Sequence, residues 1–395
     1  MERDRTMPKV AIIKCESYDA EQVFNALKKG IALIGGIEKF IGKKDKVLLK
    51  PNLLKGEKPD KLVSPHPTVF EAIIRIFKEG RYDVFYGDSP IFGAPEKAAK
   101  QAGLKEVADR HHIKMGEFTT GQIIHYPAGK VSKQFEIAQA ALEANSIISI
   151  CKMKTHELTR ITGAIKNQLG CVYGHNKAAF HTKFTDAISF SKMLVDLNML
   201  LKPKLFIMDG IIAMEGNGPI SGNSSKMNAL LISNDPVALD ATFCRMIDLN
   251  PEYVPSIMYG KEYGLGTWHE NEIELLGEPL ETFINKNFDV LRSPIISEST
   301  HNPVFTKTFR SLFLRKPVID DEKCQKCGIC VDVCPVEGKA LAFKGDKSKP
   351  PVYNYSKCIR CYCCQETCPH KAISVKTPTL GKLLLYRASR SWIKK

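Results

Sequence analysis

The chain has 395 residues, enough for two or three domains at about 100–200 residues each, and is 44% apolar and 25% charged, as globular proteins are. That balance argues against a disordered or fibrous chain, and no uncharged apolar run reaches the roughly 18 residues of a membrane span. A net charge of +14 favours acidic partners, including phosphorylated or carboxylated metabolites, and the charged start Met1-Glu2-Arg3-Asp4-Arg5 carries no apolar signal segment, so a cytoplasmic protein is expected.

From residue 7 to 292, apolar β-type runs alternate with amphipathic helical stretches. This alternation predicts an α/β fold, a mostly parallel sheet with flanking helices. Strands are predicted at residues 10–14, 46–49, 83–86, 146–150, 204–208 and 228–232. Helices are predicted between them at 19–34, 68–79, 96–101, 186–201 and 236–247. Pro67 and Pro236 would each sit in a first helical turn, where a missing N–H costs least. Residues 293–317 hold three prolines and break the pattern, so they read as a linker.

Polar residues cluster where the predicted strands end. Lys50-Pro51-Asn52, Gly87-Asp88-Ser89-Pro90, Cys151-Lys152-Met153-Lys154-Thr155-His156, Asp209-Gly210 and Ser233-Asn234-Asp235 each follow one strand. Ligands of open α/β sheets bind beyond the carboxyl ends of the strands. Five such ends predict a ligand site at one edge, although each alone would read as a solvated loop. The Lys-x-Lys-x-His segment is expected to be a loop that concentrates positive charge against an anion.

Two further stretches join that edge. In 162–170, Gly163, Lys166, Asn167 and Gly170 share one helical face, which suits either an anion or close helix packing at the glycines. Glu215-Gly216-Asn217-Gly218-Pro219-Ile220-Ser221-Gly222 could cradle a phosphate with its backbone, but lacks the P-loop Lys-Ser/Thr and the G-x-G-x-x-G pattern. Among His66, His156, His175 and His181, His156 ranks first because its segment also holds two lysines. His156, Lys154 and Asp88 are therefore the candidate catalytic residues. Lys50, Asn52, Lys152, Lys166, Asn167, Asp209 and Glu215 are the candidate binders of an anionic small molecule.

Nine of the 13 cysteines lie in 324–368. They read Cys324-x2-Cys327-x2-Cys330-x3-Cys334-Pro335 and Cys358-x2-Cys361-x2-Cys364-x3-Cys368-Pro369. Each half matches the bacterial ferredoxin run, in which three thiolates hold one cubane and the fourth crosses to the other. On that pattern one 4Fe–4S cluster takes Cys324, Cys327, Cys330 and Cys368, and a second takes Cys358, Cys361, Cys364 and Cys334. Structural zinc is the competing reading, disfavoured by two complete copies with trailing prolines. Cys363 has no slot in the motif.

Residues 318–376 resemble the bacterial-type two-cluster ferredoxin domain. The stretch from Cys334 to Leu341 is two residues longer than its counterpart from Cys368 to Ile373, and 345–351 is also long. Lys50-Pro51-Asn52, Ser64-Pro65-His66-Pro67, Gly87-Asp88-Ser89-Pro90, the 152–156 and 162–167 segments, Met208-Asp209-Gly210 and Glu215-Gly216-Asn217-Gly218-Pro219 together resemble the uncharacterised family catalogued as domain of unknown function 362. That resemblance covers about residues 8–290 and implies an iron–sulfur protein of anaerobic metabolism, with no agreed reaction. Residues 377–395 form a basic amphipathic tail that packs on its own domain or, less expectedly, touches an anionic membrane surface. No nucleic-acid reader motif accompanies the positive charge.

The sequence thus predicts an iron–sulfur electron-transfer protein working with a redox partner such as a ferredoxin or flavoprotein. One reading makes it an oxidoreductase acting on an anionic small molecule. The other makes it a carrier or adaptor without a substrate.

Overall fold

A computed structural model describes residues 7–91, 93–174, 176–295 and 314–380. The first half of the large domain contains β1 (Lys9–Lys14), α1 (Ala20–Leu33), β2 (Lys46–Pro51), α2 (Pro67–Glu79), β3 (Asp83–Tyr86), α3 (Pro95–Gln101) and α4 (Leu104–Arg110). A small hairpin, β4 (Gly121–His125) and β5 (Gln134–Ala138), leads into α5 (Gln139–Glu143). The second half contains β6 (Ser146–His156), β7 (Arg160–Ile161), α6 (Gly163–Asn167), α7 (Asn176–Lys183), α8 (Ala187–Leu201), β8 (Leu205–Glu215), β9 (Asn223–Ser233), α9 (Pro236–Met246), α10 (Pro255–Glu262) and β10 (Glu274–Gly277).

The main sheet runs in the order β10-β1-β9-β8-β6-β2-β3, with β7 folded back on the end of β6. Alternate residues of each strand feed two cores. Val47 and Leu49 pack with Leu27, Phe70 and Ile73 of α1 and α2, whereas Leu48 faces the layer that holds Ile165, Leu194 and Val237 of α6, α8 and α9. Burial on both faces explains why these strands read as continuous apolar runs. The helix starts follow the expected chemistry: Asp19, Asp186 and Asp235 cap α1, α8 and α9, and Pro67 and Pro236 open α2 and α9.

Two expectations are corrected here. First, β9 runs antiparallel to both β1 and β8. Its partner register, Glu215 opposite Asn223, makes β8–β9 a hairpin, because residues 216–222 are too few for the crossover of about a dozen residues that parallel pairing needs. Ser233-Asn234-Asp235 therefore lies at the opposite edge, where Ser233 Oγ donates to Lys9 O (2.8 Å) and Asp235 caps α9. Four strand ends, not five, face the candidate site. Second, β6 continues to His156 and β8 to Glu215, so Lys152, Lys154 and His156 lie on a strand rather than a loop. All eleven residues of β6 are buried, lysines included.

The small domain comprises β11 (Lys316–Ile319), α11 (Ile329–Asp332), β12 (Leu341–Ala342), β13 (Val352–Tyr353), α12 (Cys363–Thr367) and β14 (Ile373–Lys376). β11 pairs antiparallel with β14, and β12 with β13. It docks on the glycine-rich connection after β8. Asn217 donates from Nδ2 to Ile373 O (3.1 Å) and accepts at Oδ1 from Gln365 Nε2 (2.7 Å), which also reaches Gly218 O (3.3 Å). The segment read as a phosphate cradle thus binds the second domain. Most of the linker (296–313), most of the basic tail (381–395) and His175 lie outside the described residues.

α6, which carries Lys166 and Asn167, is held from another helix. Asp240 of α9 accepts from Ala164 N (2.6 Å) and Ile165 N (3.1 Å). Gly163 sits at φ +53°, and a Cβ there would collide with the Asp240 carboxylate. Gly163 thus serves packing. Replacing Asp240 by Ala leaves two buried N–H groups unpaired, and urea unfolding should show a loss of about 2 kcal/mol.

Candidate functional site

Lys50 ends β2 completely buried. Its Nζ donates to Asp88 Oδ1 (2.8 Å), Asn167 Oδ1 (3.0 Å) and Pro51 O (3.2 Å). Asp88 completes its acceptor set with Leu53 N (2.7 Å), and Asn167 donates to Ser149 Oγ (2.9 Å). A buried charge must be neutralised and fully hydrogen-bonded, and this trio does that. Gly170 allows it, since a Cβ there would overlap Asp88 Oδ1 and stand 2.7 Å from Lys50 Nζ. Asp88 therefore neutralises Lys50 rather than offering a free base.

A second buried pair lies apart from the first. Lys152 Nζ donates to Asp209 Oδ2 (2.8 Å) and Tyr18 Oη (2.8 Å), and Asp209 also accepts from the Tyr18 hydroxyl (3.0 Å) and His66 N (2.9 Å). His66 stacks on Tyr18 with ring centroids 3.8 Å apart. Asn52 acts as a staple, donating to Val63 O (2.6 Å) and accepting from Lys152 N (3.0 Å). Glu215 accepts from Asp289 N (3.1 Å) and ties down the chain after β10. Lys152, Asp209 and Glu215 do not line the pocket that gathers the other candidates.

That pocket, with a cavity volume of about 60 Å³, is lined by Asn52, Asp88, Lys154, Thr162, Lys166 and Lys177, with Asn167 and Gly170 in its wall. Lys154 Nζ donates to Val63 O (2.7 Å) and Pro219 O (3.4 Å). Lys177 Nζ donates to the carbonyls of Ser89 and Pro90. Carbonyls do not neutralise charge, and burial pushes both amines down to about 7, with Lys166 adding to the effect on Lys154 and Lys50 to that on Lys177. Lys166 makes no hydrogen bond or ion pair among the described residues, and burial lowers its pKa too. Thr162 Oγ1 likewise lacks a partner. Three amines and a hydroxyl surround one space, with Asp88 already committed to Lys50, and such a set of donors can hold an anion.

The small domain closes this region from one side. Glu366, carried on α12 between Cys364 and Cys368, is 3% exposed, and its Oε1 lies 3.1 Å from His156 Nε2. Burial alone would raise the Glu366 pKa, but His156, Lys166 and His181 hold the carboxyl down to about 2. His156 Nδ1 accepts from Leu158 N (3.1 Å), which leaves the ring proton on Nε2, near Glu366 Oε1 but not aligned in a hydrogen bond with it. Burial and Lys166 push His156 down to about 4, and burial does the same to His181. His156 lines the neighbouring cleft between the domains, with Arg160 and Asn217, rather than the lysine pocket. Glu366, Lys177 and His181 were absent from the sequence-predicted site. His181 was noticed as one of four histidines, but nothing in the cysteine motif marks Glu366 as facing another domain.

The motif cysteines fall into two groups of four. Cys324, Cys327, Cys330 and Cys368 line one largely apolar cavity together with Ile319. Cys358 is close to Cys361 and Cys334, and Cys364 to Cys361 and Cys358. Four sulfurs around one enclosed apolar space suit a cubane, and the crossing of Cys334 and Cys368 between halves follows the ferredoxin pattern.

Residues 47–245 match the family described as Domain of unknown function (DUF362), and residues 316–369 match a 4Fe-4S dicluster domain. A thylakoid-associated protein of Synechocystis sp. is 33% identical over 258 residues, 65% of this chain and 79% of that protein. The lactate racemase apoprotein of Thermoanaerobacterium thermosaccharolyticum has a TM-score of 0.36 and 12% identity over 58% of this chain and 54% of its own. A Thermotoga maritima protein of solved structure has a TM-score of 0.34 and 13% identity over 54% and 56%. The chain spans about half the length of these two structures.

The Lys50–Asp88 pair makes a quantitative expectation. Lys50→Met strands a buried carboxylate and should cost about 3–5 kcal/mol in denaturant unfolding. Adding Asp88→Leu should recover part of that loss, so the double variant falls short of the sum of the singles.

Proposed function

The chain belongs to the domain-of-unknown-function 362 family and carries a 4Fe-4S dicluster domain, and on that premise we propose that it is an oxidoreductase for an anionic small molecule held in the lysine pocket. One observation carries the reading. Lys177 and Ile91 line both the lysine pocket and the adjoining cavity bordered by Cys334 and its neighbours 332–339, while the unpaired ammonium of Lys166 opens into the lysine pocket. An anion bound there is one cavity away from Cys334, a member of the second cysteine group.

When bound, two 4Fe–4S clusters supply single electrons, drawn from a partner of the ferredoxin or flavoprotein class that is oxidised in turn. Lys166 and Lys177 hold the anion, and Thr162 donates to it. Lys154, with its pKa near neutrality, delivers the proton that accompanies reduction and regains it from solvent. His156 acts as a positioning residue by holding Glu366, and with it α12, over the pocket. Lys50, Asp88 and Asn167 keep the wall rigid. No helix among the described residues is long and apolar enough to cross a membrane. The Synechocystis relative is named as thylakoid-associated, and here the tail 377–395 would be the element to meet such a surface.

The carrier reading has its own support, since Cys327 is exposed at the surface, where a partner protein could exchange electrons directly. The deciding experiment follows cluster absorbance while anaerobically reduced protein is re-oxidised by fractionated carboxylate and phosphate metabolites. A fraction should re-oxidise the wild type at least tenfold faster than Lys166→Ala or Lys154→Ala/His156→Ala, all at equal iron content. If no fraction does so while a redox protein still exchanges electrons, the carrier reading replaces this one.

A further inference from the structure

The two halves of the small domain are copies in register, and their differences are informative. Pro317-Val318-Ile319 stands before Cys324 as Pro351-Val352-Tyr353 stands before Cys358. The same register sets Lys326 against Arg360 and Ile329 against Cys363. At 353 and 363 the half around Cys358 places a proton donor where the half around Cys324 has hydrocarbon, and at 360 it buries a cation whose counterpart Lys326 is partly exposed.

Tyr353 Oη lies 3.3 Å from Cys364 Sγ. A sulfur that ligates iron has lost its proton, so the hydroxyl must be the donor. Its counterpart Ile319 lines the cavity of Cys324, Cys327, Cys330 and Cys368 with hydrocarbon. Cys363 stands beside Cys361 with a thiol proton to offer, whereas its counterpart Ile329 is 38% exposed and has no proton to give. Arg360 is 4% exposed, while Lys326 is partly exposed to water. The bonds from Ala340 N to Cys334 (3.3 Å) and from Ala372 N to Cys368 (3.4 Å) are equivalent and favour neither half.

We infer that these side chains give the 4Fe–4S site of Cys358, Cys361, Cys364 and Cys334 the higher reduction potential, so that the fold directs electrons inward from the exposed site of Cys324, Cys327, Cys330 and Cys368. The reduced form of a cluster carries one more negative charge, and hydrogen bonds to sulfur together with nearby cations stabilise it. Burial acts the other way, because Cys358, Cys361 and Cys364 are at most 9% exposed whereas Cys327 is open to water. Burial in a cationic interface is unlike burial in hydrocarbon, however. The same low dielectric that penalises added charge also strengthens its attraction to Arg360, which acts on Cys358, and to Lys166, which acts on Cys363, while Glu366 opposes them at Cys361 and Glu157 at Tyr362. Each transfer moves one electron, oxidising the outer cluster and reducing the inner one, with donor proteins meeting the surface at Cys327. The inference rests on the two-cluster part of the proposed function and is independent of any substrate.

The test is an anaerobic redox titration of the full-length, cluster-loaded chain, followed by electron paramagnetic resonance with iron and spin counted. Two separate waves are expected. Tyr353→Phe should move the higher wave to lower potential and leave the lower wave in place, and Cys363→Ala should do the same by a route that keeps the tyrosine. Ile319→Tyr should raise the lower wave and narrow the gap. A single unsplit wave, or a shift of the lower wave in Tyr353→Phe and Cys363→Ala, would overturn the assignment. An iron count near four per chain would instead remove the two-cluster reading itself, whatever the potentials.

Discussion

The arrangement depends on one buried carboxylate that crosses between domains. Glu366 belongs to the cysteine motif, yet its side chain is buried among His156, His181 and Lys166 of the α/β domain. A charge taken out of water needs opposite charge close by, and a cationic site taken out of water needs the same. Docking brings the Glu366 carboxylate within reach of the Lys166 amine and of the His156 and His181 rings. The neutral hydrogen bonds of Asn217 and Gln365 then fix the orientation that charge alone would leave loose. The lysine pocket itself is lined, among the described residues, by the α/β domain, and the small domain borders the adjoining cavity through residues 332–339.

Within the α/β domain the lysines divide by whether a carboxylate answers them. Lys50 and Lys152 each have one, in Asp88 and Asp209, and these pairs tie neighbouring strands together where the sheet opens. Lys154 and Lys177 have only carbonyls, and Lys166 makes no hydrogen bond among the described residues but feels the Glu366 carboxylate of the small domain through space. Four residue positions that look alike in sequence, at 50, 152, 154 and 166, therefore perform two different tasks. Geometry at the third dimension separates frame from site.

Much of the fold was legible because its signals are local. The capping aspartates, the first-turn prolines and the two-sided apolar strands marked the elements to within a few residues. The ends of β6 and β8 were misread for a physical reason: buried lysines and aspartates look like loop residues until their partners on other strands are known. The direction of β9 could have been inferred from the short 216–222 connection, which leaves room for a hairpin alone. The site was half legible. Lys154, Lys166, Asn52, Asp88 and Asn167 do gather around one space, whereas Lys152, Asp209 and Glu215 serve the scaffold. Glu366 was invisible because its partners lie some two hundred residues away and the cysteine motif tolerates many residues at its position.

β6 links these features along a single extended segment. Residues 152, 154 and 156 fall at the two-residue repeat of a strand, roughly 6.6 Å per step, and successively meet the scaffold ion pair, the anion pocket and the domain joint. Of the alternate positions, Cys151 and Met153 belong to the apolar core, and Thr155 donates to Gly216 O (3.0 Å). The segment therefore behaves as a ruler with a fixed reading frame: inserting or deleting one residue between 150 and 156 would swing lysines into hydrocarbon and a thioether into the pocket. Length variation among kin of this chain should accordingly be confined to surface connections, with this stretch held at constant count.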